Sequence, residues 1–353
     1  MTRIAKPIFD KVVFIGPDKR GNGGISVVLN SYSESFEPFH YLPTNSQSGR
    51  LQGYLTTLCT ALRIPFQRLK GRRIGHIHYA SGKSWKRKVI LMNWMRFWGL
   101  KPVMHCHSAA FKEFCNQKGT EKVAGTLRKA KANVVLSQAW NDYFTHTLGL
   151  DNVHTVNNIV AKPQAYDTPR KPIDSPLIFL FLGYLGDRKG IFDILKAAKN
   201  LKAEGRNFRL IVGGNGEVDR FREEVSRLEL DDVVDFRGWI SGDMKTQLLA
   251  ECDVLLLPSH AEGLPISILE AMSFGKAVLT TGVGGIPDVI TDGHNGTLVT
   301  PGNVDSITRG MKAYIDDRTL AASHGTNSAE IIKNFYPNAV ADQLEEIYRK
   351  LLN

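Results

Sequence analysis

The chain has 353 residues, of which 42% are hydrophobic, and its net charge is +10 at neutral pH. This length favours two domains, each with its own core. The sequence contains no apolar run of 18 residues, which argues against a membrane-spanning helix. The four cysteines lack Cys-x-x-Cys spacing and the N-terminus lacks an apolar signal segment, so we expect a reduced cytoplasmic protein without structural zinc.

The positive charge is concentrated in the first half of the chain. Residues 1–165 carry 24 Lys and Arg against 8 Asp and Glu, whereas residues 166–353 carry 21 against 27. No acidic residue occurs between Glu37 and Glu113. This asymmetry predicts that the first half faces an anionic partner.

Strand and helix patterns alternate along the first half, which indicates a doubly wound parallel sheet. A glycine-rich turn, Gly21-Asn-Gly-Gly24, follows the first predicted strand. The predicted strands are 11–16, 74–79, 102–107, 134–137 and 153–156, and the predicted helices are 25–32, 51–69 and 84–98.

A proline-rich segment, 160–176, interrupts this alternation and is predicted to be a linker. A second alternating series follows it, which predicts a second sheet of the same kind. Ligands of such sheets bind at the carboxyl ends of the strands. The predicted strands are 177–182, 208–212, 233–236, 253–257 and 277–281, and the predicted helices are 190–201, 219–228, 244–250, a helix that stops at Gly275, and 338–352.

Two carboxylates stand eight residues apart where a predicted strand leads through a polar loop into a helix. Glu262 lies in the loop and Glu270 in the helix, and Gly263 allows the backbone to come close to a ligand. The first turn of the helix offers unpaired N–H groups to a phosphate. Carboxylates that bind hydroxyls, beside amides that bind phosphate, are suited to a phosphorylated sugar.

The segment from Pro258 to Met272 has its Pro-Ser, Glu-Gly and Glu-Ala-Met in order, and it resembles the E-x7-E signature of retaining glycosyltransferases of family 4, the glycosyl transferases group 1. Gly282 to Gly302 also resembles this family. The resemblance implies an α/β, GT-B fold of two facing Rossmann-like, doubly wound parallel-sheet domains with an interdomain cleft. The implied domains are an acceptor-binding domain (1–165), a nucleotide-sugar donor-binding domain (166–335) and a C-terminal helix (336–353) that crosses back to the first domain.

A loop after the predicted strand 177–182 carries two cations before the next helix, as a diphosphate requires. The family reads Gly-Arg-Leu-x-x-x-Lys-Gly here, so the resemblance assigns Lys189 to the donor diphosphate. Tyr184 replaces the family arginine, and Arg188 is the candidate to supply the missing charge. The resemblance also assigns Glu262 to the sugar hydroxyls and Glu270 to the ribose hydroxyls. Further donor contacts are implied at Gly263, Leu264 and Ile240.

The turn Gly21-Asn-Gly-Gly24 does not match G-x-G-x-x-G, which disfavours a nicotinamide cofactor. The resemblance places Gly23 and Gly24 against the donor diphosphate. His107 matches the family histidine near the reacting sugar, where it would act as a catalytic residue. His105 lies on the same strand face and is expected to be buried, and no third ligand for a metal site is evident in the sequence.

The sequence contains no Asp-x-Asp, the usual metal-binding motif of sugar transferases. We therefore expect a metal-independent reaction without a cofactor, in which Lys189, the helix N-terminus and Gly23–Gly24 stabilise the leaving diphosphate. The resemblance implies retention by front-face attack, without a protein nucleophile. The expected acceptor is a glycan or a lipid-linked intermediate of a cell-surface polysaccharide.

The predicted helix 84–98 combines three tryptophans with Lys and Arg, so it is expected either to lie in an anionic membrane interface or to cover the sheet with a cationic outer face. The first expectation places the protein peripherally on the inner face of the cell membrane. Other functions stay open: a nucleotide-sugar epimerase of the same fold, or an inactive glycan-binding paralogue, which Tyr184 supports. Nucleic-acid binding is disfavoured because the second half is acidic and contains no known binding module.

Overall fold

The computed structural model describes residues 3–21, 23–45, 50–163 and 175–353. Contacts divide the chain into two compact units, which we call unit 1 (residues 1–161 and 334–353) and unit 2 (residues 162–333). Most of the predicted linker, residues 164–174, lies outside the described residues. Within the described ranges, no helix is both long and apolar enough to cross a membrane.

Strands and helices alternate through both units. The strands are β1 Ile4–Ala5, β2 Val12–Gly16, β3 Phe36–Glu37, β4 His40–Pro43, β5 Ile74–Tyr79, β6 Lys101–Cys106, β7 Ala132–Val135, β8 Val153–Thr155, β9 Leu177–Leu182, β10 Phe208–Gly213, β11 Val234–Phe236, β12 Val254–Leu257, β13 Ala277–Thr281 and β14 Gly296–Val299. The helices are α1 Gly24–Ser35, α2 Arg50–Leu69, α3 Lys83–Phe97, α4 Phe111–Lys118, α5 Thr120–Leu127, α6 Gln138–Asp142, α7 Ile191–Ala203, α8 Val218–Arg227, α9 Gly242–Glu251, α10 Ile266–Ser273, α11 Val304–Asp316, α12 Arg318–Ile331 and α13 Pro337–Leu352.

Unit 1 contains a six-stranded parallel sheet in the order β4-β2-β5-β6-β7-β8. Strands β2 and β5 are buried along their whole length, as strands covered on both faces are. The chain order reverses between β2 and β5, so the loops after these strands border the ligand-binding edge of the sheet. The sequence did not predict β4, of whose four residues only Leu42 is buried.

The C-terminal helix α13 belongs to unit 1. Its Tyr348 is fully buried, where the ring packs edge-on against Phe9 and the hydroxyl lies 2.5 Å from Nδ1 of His76. At the helix surface, Lys6 pairs with Glu345. The last residues of the chain therefore complete the core of the unit that its first residues begin.

Unit 2 contains a six-stranded parallel sheet in the order β11-β10-β9-β12-β13-β14. Its core strands carry long apolar side chains, such as those of Leu177–Leu182 and Val254–Leu257. This is the doubly wound order in which the topology switches between β9 and β12. The two segments that the sequence singled out for donor binding follow these two strands.

Candidate functional site

The loops after β9 and β12 are held together at the switch point of unit 2. The backbone N–H of His260 donates to the carbonyl of Arg188 at 2.8 Å. Gly190 has φ +74°, and a side chain there would collide with the carbonyl oxygen of Pro258. This close approach explains why a glycine follows Lys189, and it fixes the cations of one loop beside the carboxylate of the other.

Lys189 and Glu262 form a direct ion pair, in which Nζ donates to Oε1 at 2.5 Å. Both side chains are largely buried, with exposed fractions of 14% and 7%. Arg188 adds a second cation: its Nη1 donates to the carbonyl of Ala261 at 3.0 Å and lies 3.6 Å from the same carboxylate oxygen. Two positive groups thus converge on one buried carboxylate.

Tyr184, at the position where the family that the sequence resembles has an arginine, is half exposed. Its ring lies against Gly186 and Gly216, where added side chains would come within 2.9 Å and 2.8 Å of it. The ring thus rests on two glycines. Arg188 is the arginine that approaches Glu262.

Glu270 lies in α10 and pairs with Lys245, whose Nζ donates to Oε1 at 2.5 Å. Lys245 comes from α9, and the sequence reasoning did not identify it. Its only signal was its position in a predicted helix, and no local pattern pointed to Glu270, 25 residues away. This pair neutralises the second carboxylate of the motif.

The loop that leads into α10 is supported from behind by a glycine turn. The N–H of Gly285 donates to the carbonyl of Gly263 at 2.6 Å. Gly284 has φ +61°, and a side chain there would collide with the carbonyl of Glu262. Helix α10 begins after Pro265, without a side-chain cap, so its first N–H groups have no capping side chain. Leu264, another predicted donor contact, is buried in the same loop.

Ile240 is buried, and its side chain packs against Gly213 at the end of β10. Gly214 donates from its N–H to the carbonyl of Gly238 at 2.7 Å and would collide with the Gly183 carbonyl if it carried a side chain. These glycines are therefore required by packing, and any ligand contact of Ile240 would use its backbone, because its side chain is buried.

In unit 1, Gly23 and Gly24 stand at the start of α1, and Gly23 is its N-cap residue. A side chain at either position would meet nothing within 4 Å, so internal packing does not require glycine here. Open space at a helix start beside the switch point leaves room for a ligand. Asn22, between Gly21 and this pair, lies outside the described residues.

His107 follows β6 and belongs to a cluster of four histidines. Its Nε2 lies 2.9 Å from Nδ1 of His78, and its ring stacks on that of His78 with centroids 5.1 Å apart. His105 is buried as predicted, and its Nδ1 lies 3.0 Å from Nε2 of His76. His76 and His78 were missed, although they show the same alternation on β5 that singled out His105 and His107 on β6.

Burial, which is complete for His76, His78 and His105 and partial for His107, keeps these imidazoles neutral. It lowers the pKa of His107 and of His76 to about 3, and it holds the pKa values of His78 and His105 well below the usual value. Within the described part of the chain, Nε2 of His78 and Nε2 of His105 have no hydrogen-bond partner.

Three of these histidines, His76, His78 and His105, have ligand atoms within 4.8 Å of one another. No third ligand for the pair His105 and His107 was evident in the sequence, and the structure supplies further imidazoles. However, both ring nitrogens of His76 already have partners, Tyr348 and His105. Ligating histidines usually donate to a carboxylate or carbonyl behind them, and this cluster contains only imidazoles and a phenol. We therefore assign no ion to it.

A cavity of about 520 Å³ opens in unit 1 among α3, α4 and α5. Its floor contains the aromatic side chains of Trp85 and Phe114, and four lysines lie around it. Such a lining suits a ligand with an apolar part and a negative charge. The lysines are Lys83, Lys86, Lys118 and Lys122.

The match to a known protein family lies within unit 2. Residues 166–331 match the family model described as Glycosyl transferases group 1. A protein described as a colanic acid biosynthesis glycosyltransferase, WcaL of Salmonella typhimurium, is 28% identical over 185 residues, which are 50% of this chain and 46% of that protein. The chain thus spans less than half the length of the first curated relatives that it matches.

Solved structures resemble the whole chain. HepE of Anabaena, solved in complex with UDP, aligns with 96% of this chain and 100% of that one, at 18% identity and a TM-score of 0.76. Sucrose-phosphate synthase of Thermosynechococcus elongatus covers 97% and 99%, at 18% identity and a TM-score of 0.79. The chain therefore has the GT-B fold with two Rossmann-like parallel-sheet domains, which confirms the predicted fold class.

Proposed function

We propose that this protein is a retaining glycosyltransferase of family 4 that moves a sugar from a nucleoside-diphosphate sugar to an acceptor. The observation that carries the proposal is the convergence of Lys189, Arg188 and Glu262 at the switch point of unit 2. Cations for a diphosphate and a carboxylate for hydroxyls lie side by side there. The match of residues 166–331 to group 1 glycosyl transferases supports it.

The proposed roles follow from the charges. Lys189 and Arg188 bind the donor diphosphate, Glu262 binds sugar hydroxyls, and Glu270 binds the ribose hydroxyls. A bound diphosphate competes with Glu262 for the Lys189 ammonium, so donor binding frees the carboxylate for the sugar. The negative charge on the leaving diphosphate is stabilised by fixed cations and amides rather than by a metal ion or cofactor.

We extend the proposal to unit 1. We assign the acceptor to this unit, with Gly23 and Gly24 at the donor diphosphate and His107 at the transferred sugar. The lysine-lined cavity supports an anionic acceptor, such as a lipid-linked intermediate of a cell-surface polysaccharide. This acceptor would place the protein at the cytoplasmic face of a membrane. The colanic acid relative supports the polysaccharide class.

The first experiment is a thermal-shift screen with nucleoside diphosphates and their sugars. Because a ligand that binds only the folded state stabilises it, we expect one nucleotide to raise Tm at concentrations about 100-fold above its Kd. UDP is the first to test, since HepE was solved with it. If no nucleoside diphosphate or sugar shifts Tm, the donor assignment is wrong.

The second experiment identifies the reaction. Proton NMR of the product formed with and without EDTA should show the anomeric configuration of the donor retained and an unchanged rate. Donor consumed without acceptor to give an isomeric nucleotide sugar would instead identify an epimerase. Donor that binds but is never consumed with any acceptor tested would favour the alternative that Tyr184 supports, an inactive glycan-binding paralogue.

Lys245 provides a test of the ribose end of the site. Because it neutralises and orients Glu270, we expect Lys245→Met to raise KM for the donor roughly 3- to 10-fold and to leave kcat nearly unchanged. The matched control is Lys312→Met, which removes the surface pair with Glu204 at 2.7 Å. Steady-state kinetics measure both variants, and an unchanged KM in Lys245→Met would contradict the role of Glu270.

A further inference from the structure

Helix α2 in unit 1 turns most of its large apolar side chains to solvent. The side that faces the protein buries Ile64 in the core and otherwise carries small or hydroxyl residues. Thr57 donates to the Thr44 carbonyl at 2.7 Å, Thr60 is buried, and the Ala61 carbonyl accepts from the Trp94 indole at 2.8 Å. The side that faces solvent carries large apolar residues. They are Tyr54, Leu55, Leu58, Leu62, Phe66 and Leu69, with exposed fractions from 53% to 81%.

These six residues follow one another at intervals that place them on one side of the helix. We call them the α2 stripe. A surface helix normally buries its apolar stripe against the core, and contiguous exposed apolar surface of this kind marks an interaction site. Folding of unit 1 does not explain the stripe, because the opposite side of α2 makes the contacts with the rest of the unit.

Helix α3 extends this apolar surface. Trp94 attaches α3 to α2 through its indole, and its ring stacks on Phe97 with centroids 5.4 Å apart. Phe97 is 74% exposed, and Ile90, on the same side of α3, is 66% exposed. By contrast, Trp85 is buried in the core of unit 1. The tryptophans that suggested an interfacial helix 84–98 therefore mostly hold α3 in place, and the larger exposed apolar surface is on α2.

Cations border the apolar surface. Arg63 on α2, Lys70 just beyond it, and Lys86 and Arg96 on α3 are all exposed. The chain contains no Asp or Glu from residue 38 to residue 112, so no acidic residue of either helix offsets them. Apolar residues that enter the acyl boundary, with Lys and Arg beside them, are the combination that binds an anionic lipid surface.

We propose that the α2 stripe, together with Ile90 and Phe97, inserts into an anionic lipid bilayer. The stripe enters the boundary between headgroups and acyl chains, and the flanking cations contact the headgroup phosphates. This inference deepens the proposed function and rests on it for its purpose, because an enzyme that acts on a lipid-linked acceptor must reach the bilayer.

The protein carries a natural probe for this contact. Cys59 is the exposed cysteine, whereas Cys106, Cys115 and Cys252 are buried. Cys59 lies one turn from both Leu55 and Leu62, so an environment-sensitive thiol dye on it reports on the α2 stripe. With vesicles of phosphatidylglycerol and phosphatidylcholine, we expect a blue shift of dye emission and co-flotation of the protein. Binding to vesicles of pure phosphatidylcholine should be at least about 10-fold weaker.

The decisive variant is Leu58→Gln/Leu62→Gln, which should lower the vesicle partition coefficient by about 10-fold or more. Leu58→Met/Leu62→Met keeps the apolar surface and should bind like the wild type. Because all four changes are at exposed positions, the thermal melt should be unchanged. Equal flotation of the Gln and Met variants would overturn the proposal. Light scattering that shows a dimer for the wild type and a monomer for the Gln variant would also overturn it, because the stripe would then bind a second copy.

Nucleotide binding separates this proposal from the proposed function. In the Gln variant, Tm shifts by the nucleoside diphosphate should match those of the wild type, because none of the proposed donor contacts lies on α2. Vesicle binding by a protein that binds no nucleotide would overturn the proposed function and leave the membrane contact standing. A protein that binds nucleotide but does not bind anionic vesicles would overturn the membrane proposal and leave the proposed function standing.

Discussion

Replacement of Lys189 by methionine is expected to lower kcat/KM for the sugar donor by about 10²- to 10³-fold. The ammonium lies at the meeting point of the loops after β9 and β12, where the backbone contact between His260 and Arg188 fixes it. A fixed cation stabilises the leaving diphosphate more than the bound donor, because negative charge develops as the glycosidic bond breaks. The loss should therefore fall on kcat as well as on KM.

The same change removes the partner of a buried carboxylate, which by itself destabilises a protein by about 3–5 kcal/mol. The double variant Lys189→Met/Glu262→Gln removes both charges and should recover most of this stability without recovering activity. Lys196→Met, which breaks an exposed pair with Asp193, is the matched control and should leave both properties unchanged. Wild-type kinetics in a correctly folded Lys189→Met protein would show that Lys189 does not bind the donor.

Glu262→Gln should separate binding from transfer. Because Glu262 pairs with the Lys189 ammonium that we propose for the diphosphate, its neutral analogue should bind the nucleoside diphosphate at least as tightly as the wild type. The sugar loses its charged hydrogen-bond acceptor, so transfer should still fall steeply. Calorimetric titration of both forms checks this expectation, and a parallel loss of nucleotide affinity would contradict it.

Unit 1 is expected to lose stability sharply in mild acid. Its four clustered histidines have pKa values of about 3 or well below the usual range, whereas the unfolded chain takes up protons near pH 6.5. Their contribution to stability is therefore complete above pH 6.5 and is lost as the pH falls from there towards 3. Each of these imidazoles lowers the free energy of unfolding by about 1.4 kcal/mol for each unit by which the pH falls in this range.

Together the cluster should remove on the order of 5 kcal/mol between pH 6.5 and pH 5. Urea unfolding followed by tryptophan fluorescence measures this in unit 1, which contains four of the five tryptophans, namely Trp85, Trp94, Trp98 and Trp140. His105→Gln should reduce the pH slope by about one proton. The exposed His146→Gln should leave the slope unchanged, and equal slopes for the two variants would contradict the buried, neutral cluster.

The sequence predicted the fold well because both sheets leave strong local patterns. Buried parallel strands such as Leu177–Leu182 and Val254–Leu257 are continuous apolar runs, and turn glycines and prolines separate them from the helices. The same rule explains why β4, β14 and the two short strands β1 and β3 were not predicted. Each has two to four residues, and at least half of them are partly or fully exposed, so they carry no clear period.

The site was less predictable, because its contacts join residues that are distant in sequence. Lys189 and Glu262 were identified because each stands at the end of a strand in a motif. Lys245 has no such marker, and only the packing of α9 beside α10 brings it to Glu270. The exposed stripe of α2 was hidden for a related reason. Its 3.6-residue period predicts an amphipathic helix, and periodicity alone does not tell which side faces the protein.

The central claim is that a nucleoside-diphosphate sugar binds at the switch point of unit 2. A crystal structure with the nucleoside diphosphate that gives the largest thermal shift tests it most directly. We predict the diphosphate within hydrogen-bonding distance of Lys189 Nζ and the Arg188 guanidinium, with the ribose hydroxyls at Glu270. A nucleotide bound elsewhere, with the ion pair between Lys189 and Glu262 intact at 2.5 Å, would contradict this account.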